Sequence, residues 1–203
     1  MNIQKSTRNL VANSLLCGIT VLLGFTPLGM IPLPLLSPTT VHIPALIAAL
    51  YLGYKNGLVV ALCFGLVSLL RAIQQPLGLT VFFMNPLIAI LPRLTIPLSS
   101  YFSYRLFQKF LRKDFACLAL GAFLGSLSNT IFTLSSIQLF YGEQLNHIVN
   151  SAIQAGTAAA EYLNNASLYL LSTIAIPYGL SEALVSAVIV PIIVTALKKA
   201  IKN

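Results

Sequence analysis

A run without Asp, Glu, Lys or Arg extends from Asn9 to Tyr54 and restricts what this chain can fold into. A membrane-spanning helix needs about 20 apolar residues, so the run is too long for one such helix and long enough for two. Charge is scarce elsewhere too: 8% of the 203 residues are charged, against about 25% in soluble proteins. The sequence therefore predicts a membrane protein and excludes an ordinary soluble globule.

Prolines and polar turns divide the apolar sequence into six segments, and we predict an all-α, polytopic membrane protein with six spanning helices. The predicted helices are residues 9–26, 42–54, 57–71, 85–106, 115–141 and 180–197. A proline-rich loop follows the first helix, and Lys55-Asn56-Gly57 is predicted to form the turn before the third. Residues 142–178 fit either an outer loop with a short helix or a re-entrant segment. The chain, 1–203, is predicted to be one domain.

Basic residues indicate the orientation of these helices. Lys and Arg are enriched in the cytoplasmic loops of membrane proteins. With six spans, every Lys and Arg except Arg71 and Arg93 falls at a terminus or in an even-numbered loop. Both termini are therefore predicted to be cytoplasmic.

Composition also argues against several binding classes. The net charge is +8, but the basic residues cluster at the ends of apolar segments and form no nucleic-acid motif. Cys17, Cys63 and Cys117 lie in apolar runs without metal-ligand or CxxC spacing, so we interpret them as packing residues. No nucleic acid, metal or cofactor is predicted.

Arg93 is the most informative single residue. It lies well inside the predicted fourth helix, roughly 12 Å below the outer surface at 1.5 Å per residue. A charge at that depth costs about 2.5 kcal/mol or more, so it should face a cavity or a partner and not lipid. The functional interpretation is an anchor for an anionic ligand. The structural alternatives are a pair with Glu182, hydrogen bonds to helix-end carbonyls, or snorkelling to the membrane surface.

Other polar side chains occur in the outer halves of the predicted helices and are candidates for the same pocket. Asn129 and Thr130 lie at a similar depth to that arginine, although the asparagine is equally suited to an interhelical hydrogen bond. Asn85 and Glu182 begin the fourth and sixth helices, where each alternatively serves as a cap or dipole partner. His42 begins the second helix and is alternatively a satisfied interfacial group.

The distribution of these residues predicts an outward-opening pocket. The inner half of the fifth helix, FACLALGAFLG, offers no polar lining for a channel. A proton-coupled carrier is disfavoured because no Asp or Glu lies at mid-depth. No Walker A pattern occurs, so active transport would need energy from another subunit. Ser126 and Ser128 are weak candidates for a nucleophile, and we do not expect an enzyme.

Small residues form one face of the first helix. Ser14 and Gly18 are four residues apart, a spacing that lets another helix approach closely. This face is a candidate for docking a partner protein, and internal packing is the alternative.

Four segments, in order, resemble the substrate-binding S components of energy-coupling factor (ECF) vitamin transporters. They are VHIPALIAALYLGYKNGLVVALCFGLVSLLRA, NPLIAILPRL, LSNTIFTLSSIQLFYG and SEALVSAVIVPIIVTALKK. The pattern most resembles the pantothenate-specific branch, whereas related branches take hydroxymethylpyrimidine, pyridoxine, thiamine, folate or riboflavin. A membrane scaffold or an enzyme is the alternative from another class.

The resemblance implies a six-helix binding protein of the bacterial plasma membrane with an outward pocket and a lid between the first two helices. Its partners would be a transmembrane coupling protein and two ATPase subunits. The family docks through an Ala-x-x-x-Ala face on the first helix, where this chain has Ser14 and Gly18. Arg93 would pair with the pantothenate carboxylate, and Asn85, Asn129 and His42 would bind its hydroxyl and amide groups.

Overall fold

The computed structural model describes residues 3–29, 39–76, 78–154 and 176–200. Within these ranges the chain is almost entirely helical and contains no β-strand, which confirms the all-α prediction. The six α-helices are α1 (Ile3–Phe25), α2 (Ile43–Ile47), α3 (Tyr54–Gln74), α4 (Pro86–Phe107), α5 (Asp114–Gln154) and α6 (Leu180–Ala200). The proline-rich loop predicted as a lid lies mostly at 30–38, outside the described residues.

Irregular helical turns connect several of these elements. A 3-10 turn, Pro27–Gly29, follows α1, and a longer 3-10 segment, Gly78–Met84, precedes α4. A π-helical segment, Ala48–Leu52, continues α2, and a π-helical turn at 176–179 leads into α6.

The chain turns between α2 and α3 at Gly53, and the predicted turn at Lys55-Asn56-Gly57 is wrong. Gly53 has a φ of 101°, a backbone conformation that residues with a Cβ rarely adopt. The N–H groups of Asn56 and Gly57 both donate to the carbonyl oxygen of Gly53, so the triplet lies in the first turn of α3. The single glycine makes the reversal, and the polar triplet is helical.

The fifth helix extends beyond its predicted end at residue 141. Tyr141 departs from helical geometry, with φ −134° and ψ 23°, and the helix then continues to Gln154. The first part of the segment left open at 142–178 is therefore helical, and residues 155–175 lie outside the described ranges. The sequence after residue 141 is more polar than the span before it, and for this reason it did not predict that α5 continues.

Four of the described helices are long and apolar enough to cross a membrane. They are Thr7–Phe25, Tyr54–Gln74, Asp114–Asn146 and Ile176–Ala200. The apolar helix formed by α2 and its π-helical continuation, Ile43–Leu52, is shorter, and α4 is 22 residues long but is not among the four.

The short α2 lies at the centre of the bundle. Every side chain from Val41 to Leu50 is buried, and the core around Leu46 includes Val60 of α3, Ile96 of α4 and Leu118 of α5. A helix surrounded by other helices must be apolar on all sides, as this sequence is. This packing fixes α2 relative to α3, α4, α5 and α6.

Gly57 allows close contact between α2, α3 and α4. A Cβ at Gly57 would lie 2.6 Å from the Cβ of Pro97 and 2.8 Å from the Cβ of Ala49. At Gly18, in contrast, an added Cβ would have no neighbour within 4 Å.

We therefore predict that Gly57→Ala lowers the stability of the protein by about 1–3 kcal/mol, the usual cost of overpacking a close contact. Gly18→Ala should leave stability unchanged or raise it, because alanine favours a helix and nothing obstructs it. Thermal unfolding of both variants in the same detergent measures the difference. Equal unfolding midpoints would contradict the packing account.

Candidate ligand-binding cavity

A cavity of about 440 Å³ opens between α3, α4, α5 and the start of α6. That volume lies within the range of about 300–1,000 Å³ that small-molecule sites occupy. Four of the residues named from the sequence line it: Arg93, Asn129, Thr130 and Glu182. The structure therefore brings together four side chains that the sequence separates by up to 89 positions (182 − 93).

Arg93 is 6% exposed and lies in the wall of this cavity. Its Nη1 donates to the carbonyl oxygen of Ile88 at 2.9 Å and to Oγ1 of Thr133 at 3.2 Å. The guanidinium also lies 4.5 Å from the ring centre of Phe83 and 5.4 Å from that of Phe64. Aromatic faces and a helix carbonyl thus hold it in place.

This arginine forms no direct ion pair within the described part of the chain. No carboxylate there lies within 4 Å of its guanidinium, since the one ion pair found joins Lys198 and Asp114. Its Nε is buried without a hydrogen-bond partner. The direct pair with Glu182, considered from the sequence, is therefore not formed. A buried, unpaired cationic donor is costly unless something else occupies the site.

Asn129 contributes an unpaired acceptor to the same cavity. Its Oδ1 is buried and has no hydrogen-bond partner among the described residues. The neighbouring Thr130 packs against Gly179, where an added Cβ would lie 2.5 Å from Cγ2 of the threonine. Native proteins satisfy the great majority of buried polar atoms. An orphaned acceptor and an orphaned donor facing one cavity suit a polar ligand that has both kinds of group.

Glu182 holds the chain segment that precedes α2. Its Oε1 accepts hydrogen bonds from the backbone N–H of Thr39 at 2.9 Å and from Oγ1 of the same residue at 2.6 Å. Thr39 and Val41 also line the cavity. The carboxylate therefore forms part of the wall and attaches the start of α2 to the first turn of α6.

His42 and Asn85 do not line the cavity. His42 is 1% exposed, and its Nε2 lies 2.7 Å from Oγ of Ser186 and 3.2 Å from Oγ of Ser126. Asn85 caps α4, because its Oδ1 accepts from the N–H of Leu87, and its Nδ2 lies 3.4 Å from the hydroxyl of Tyr141. These contacts join helices beside the cavity and correspond to the structural alternatives for both residues.

The contact between His42 and Ser126 was not expected, since sequence distance suggested no serine near a histidine. It resembles a nucleophile and its base, but both hydroxyl groups at the imidazole are fully or almost fully buried. Neither serine lines the cavity. A substrate has no access to this cluster, and its hydrogen bonds connect α2, α5 and α6.

The contribution of α3 to the cavity was not predicted from the sequence. One face of this helix lines the cavity through Phe64, Val67, Ser68, Arg71 and Ala72, and Gln75 follows at its end. Thr80 and Phe83 of the following 3-10 segment also contribute. The spacing of these α3 residues by three, four and seven positions is the signal of one helical face. In the six-span prediction Arg71 is only a basic residue on the outer side.

The candidate docking residues lie on the outside of the described structure. Ser14 and Gly18 are both exposed on α1. They therefore do not pack against another described helix, and their environment leaves room for lipid or a partner.

Comparisons with known proteins agree with a transport role. The family model described as "ECF transporter, substrate-specific component" matches residues 8–194. The "Pantothenic acid transporter PanT" of Lactococcus lactis subsp. cremoris is 28% identical over 189 residues, covering 85% of this chain and 83% of that protein. The "Pantothenate transporter PanT" of Leuconostoc mesenteroides subsp. mesenteroides is 33% identical over 120 residues, covering 58% of this chain and 57% of that protein.

Arg93, which keeps an unpaired nitrogen, and His42, which is hydrogen-bonded, should respond differently to substitution by an apolar residue. We predict that Arg93→Met leaves the unfolding midpoint of the ligand-free protein unchanged or higher, because it removes a desolvated charge that forms no direct ion pair. His42→Leu should cost about 1–3 kcal/mol, because it leaves a buried serine hydroxyl without its partner. Thermal unfolding in one detergent tests both. A marked loss of stability in Arg93→Met would assign the arginine a structural role.

Proposed function

The chain belongs to the substrate-specific component family of ECF transporters, and we propose that its cavity binds pantothenate. Membership makes it a membrane-embedded transporter subunit and not an enzyme. ATP hydrolysis belongs to separate ATPase subunits, which act with a coupling protein.

The observation that supports an anionic vitamin is the unpaired guanidinium of Arg93 in the cavity wall. Pantothenate is a monoanion at neutral pH, and its carboxylate would supply the direct ion-pair partner that the guanidinium lacks. A carboxylate also suits the planar donor fork of arginine, and its two oxygens would engage Nε and Nη2. The names of both relatives point to the same vitamin.

The remaining lining suits the rest of this molecule. Oδ1 of Asn129 would accept a hydrogen bond from the amide N–H of the ligand. The hydroxyl of Thr130 and the free oxygen of Glu182 would bind ligand hydroxyl groups. Val41 and Val67 are apolar wall residues that fit the two methyl groups. We assign His42 and Asn85 an indirect role, in which they position α2 and α4 around the ligand.

For the membrane topology we propose six spans with both termini in the cytoplasm, in one domain of residues 1–203. The spans would be α1, α2 with its π-helical continuation, α3, α4, α5 and α6. Lys198 near the end of α6 lies 2.9 Å from Asp114 at the start of α5, and its Nζ is 3.0 Å from the hydroxyl of Tyr104 in α4. These three helix ends therefore meet on one side, and the basic residues near them favour the cytoplasmic side for it.

Docking on the coupling protein is assigned to α1. Ser14 and Gly18 replace the two alanines of the family pattern and are both small and exposed. Close approach of a partner helix needs small side chains of this kind.

Binding of radiolabelled pantothenate to the detergent-purified protein tests the substrate. We predict saturable binding that Arg93→Gln weakens by a factor of about 30 or more, since truncating one partner of a buried charge pair costs about 2–5 kcal/mol. Arg112→Gln is the matched control, because this arginine is exposed in the connection between α4 and α5. It should bind as the wild type does.

Competition with neutral or larger vitamins completes the experiment. Unlabelled pyridoxine, thiamine and riboflavin should not displace pantothenate. Binding of one of these in place of pantothenate would overturn the substrate and the role of Arg93 while leaving family membership intact. Recovery without a coupling protein and ATPases from native membranes would argue against the proposed assembly.

A further inference from the structure

A second arginine, Arg71, lines the cavity and has no assigned role. It lies in the last turn of α3 and is half-buried. Its guanidinium forms no hydrogen bond or ion pair with any residue in the ranges that the structure covers. Ser68, one turn earlier in α3, and Gln75, just after the helix ends, also line the cavity, so the arginine lies between two polar side chains.

The two arginines lie at different depths. Phe64, whose ring centre is 5.4 Å from Cζ of Arg93, is seven residues before Arg71 in α3. Seven residues make two helical turns, so the side chains of Phe64 and Arg71 lie on one face of α3, about 10 Å apart along the helix axis. One cation therefore lies beside Phe64, and the other lies two turns nearer the end of α3.

The charge of the described lining restricts what the second cation can bind. Arg71, Arg93 and Glu182 are the charged residues among those that line the cavity, and together they carry a net charge of +1 (two positive, one negative). One ligand carboxylate neutralises the site, whereas a dianion would leave an uncompensated negative charge in a poorly solvated space. The second arginine is therefore suited to an uncharged acceptor on the same ligand.

We propose that Arg71 donates hydrogen bonds to the hydroxyl end of the ligand while Arg93 holds the carboxylate. This inference rests on pantothenate as the ligand. From carboxyl carbon to terminal hydroxyl, extended pantothenate spans roughly 9–10 Å if its bonds reach as far as those of an extended peptide. That length is close to the axial distance between Phe64, beside Arg93, and Arg71. The ligand therefore lies along α3, and Ser68 and Gln75 flank its hydroxyl end.

Pantothenol, in which a hydroxymethyl group replaces the carboxylate, separates the two roles. We would measure the Kd of pantothenate and of pantothenol by isothermal titration calorimetry for the wild type, Arg71→Met and Arg93→Met. Arg112→Met is the control for loss of an exposed arginine, and Arg71→Lys tests whether a charge alone suffices. An unchanged unfolding midpoint confirms that each variant is folded.

We expect Arg71→Met to weaken both ligands by the same factor, about 10- to 100-fold for a lost charge-assisted hydrogen bond. The preference of the protein for pantothenate over pantothenol should stay as in the wild type. Arg93→Met should abolish that preference. Arg71→Lys should bind more weakly than the wild type, because lysine lacks the planar fork.

Three results would overturn the inference. Wild-type affinity for both ligands in Arg71→Met would exclude a contact. Loss of the preference in Arg71→Met, with Arg93→Met retaining it, would place the carboxylate at Arg71 and reverse the orientation. Failure of the wild type itself to bind pantothenate would refute the proposed function, and this inference with it.

Discussion

A buried guanidinium that forms no direct ion pair, in the low-dielectric interior of a membrane protein, is the constraint on which this account depends. Folding must supply the free energy that its desolvation costs, and two hydrogen bonds and two aromatic faces offset only part of that cost. We propose that binding of an anionic ligand offsets the remainder. Such an arrangement favours ligand binding over stability, as is common at functional sites.

Hydrogen bonds between helices hold the walls of the cavity in place. The buried α2 joins α5 and α6 through the imidazole of His42, and Glu182 holds the preceding residue Thr39 against α6. Neighbouring helices are thus connected by polar contacts in and beside the cavity wall. Two of the lining residues, Arg93 and Asn129, in contrast keep buried polar atoms without a partner among the described residues. These unpaired atoms make the two residues the strongest candidates for contact with a ligand.

Much of the architecture follows from sequence because lipid imposes strict periodicity and length on apolar helices. The same reasoning named Arg93, Asn129, Thr130 and Glu182 as candidates for one pocket, because polar groups buried at similar depths in a membrane need polar partners. It could not separate them from His42 and Asn85, whose partners Ser186 and Tyr141 are distant in sequence. At the break in α5, Tyr141 packs against Phe82, whose ring centre is 5.0 Å away, and this tertiary contact is not visible in the sequence. Arg71 was missed because a charge at a helix end resembles an ordinary solvated residue.

The most direct test of the central claim is an experimental structure of the protein with pantothenate bound. The account predicts that the ligand fills the cavity and that its carboxylate oxygens lie about 2.7–2.9 Å from nitrogen atoms of Arg93, as in other arginine–carboxylate pairs. Oδ1 of Asn129 should also gain a donor from the ligand. A bound vitamin whose carboxylate lies elsewhere, with the guanidinium still unpaired, would contradict the account.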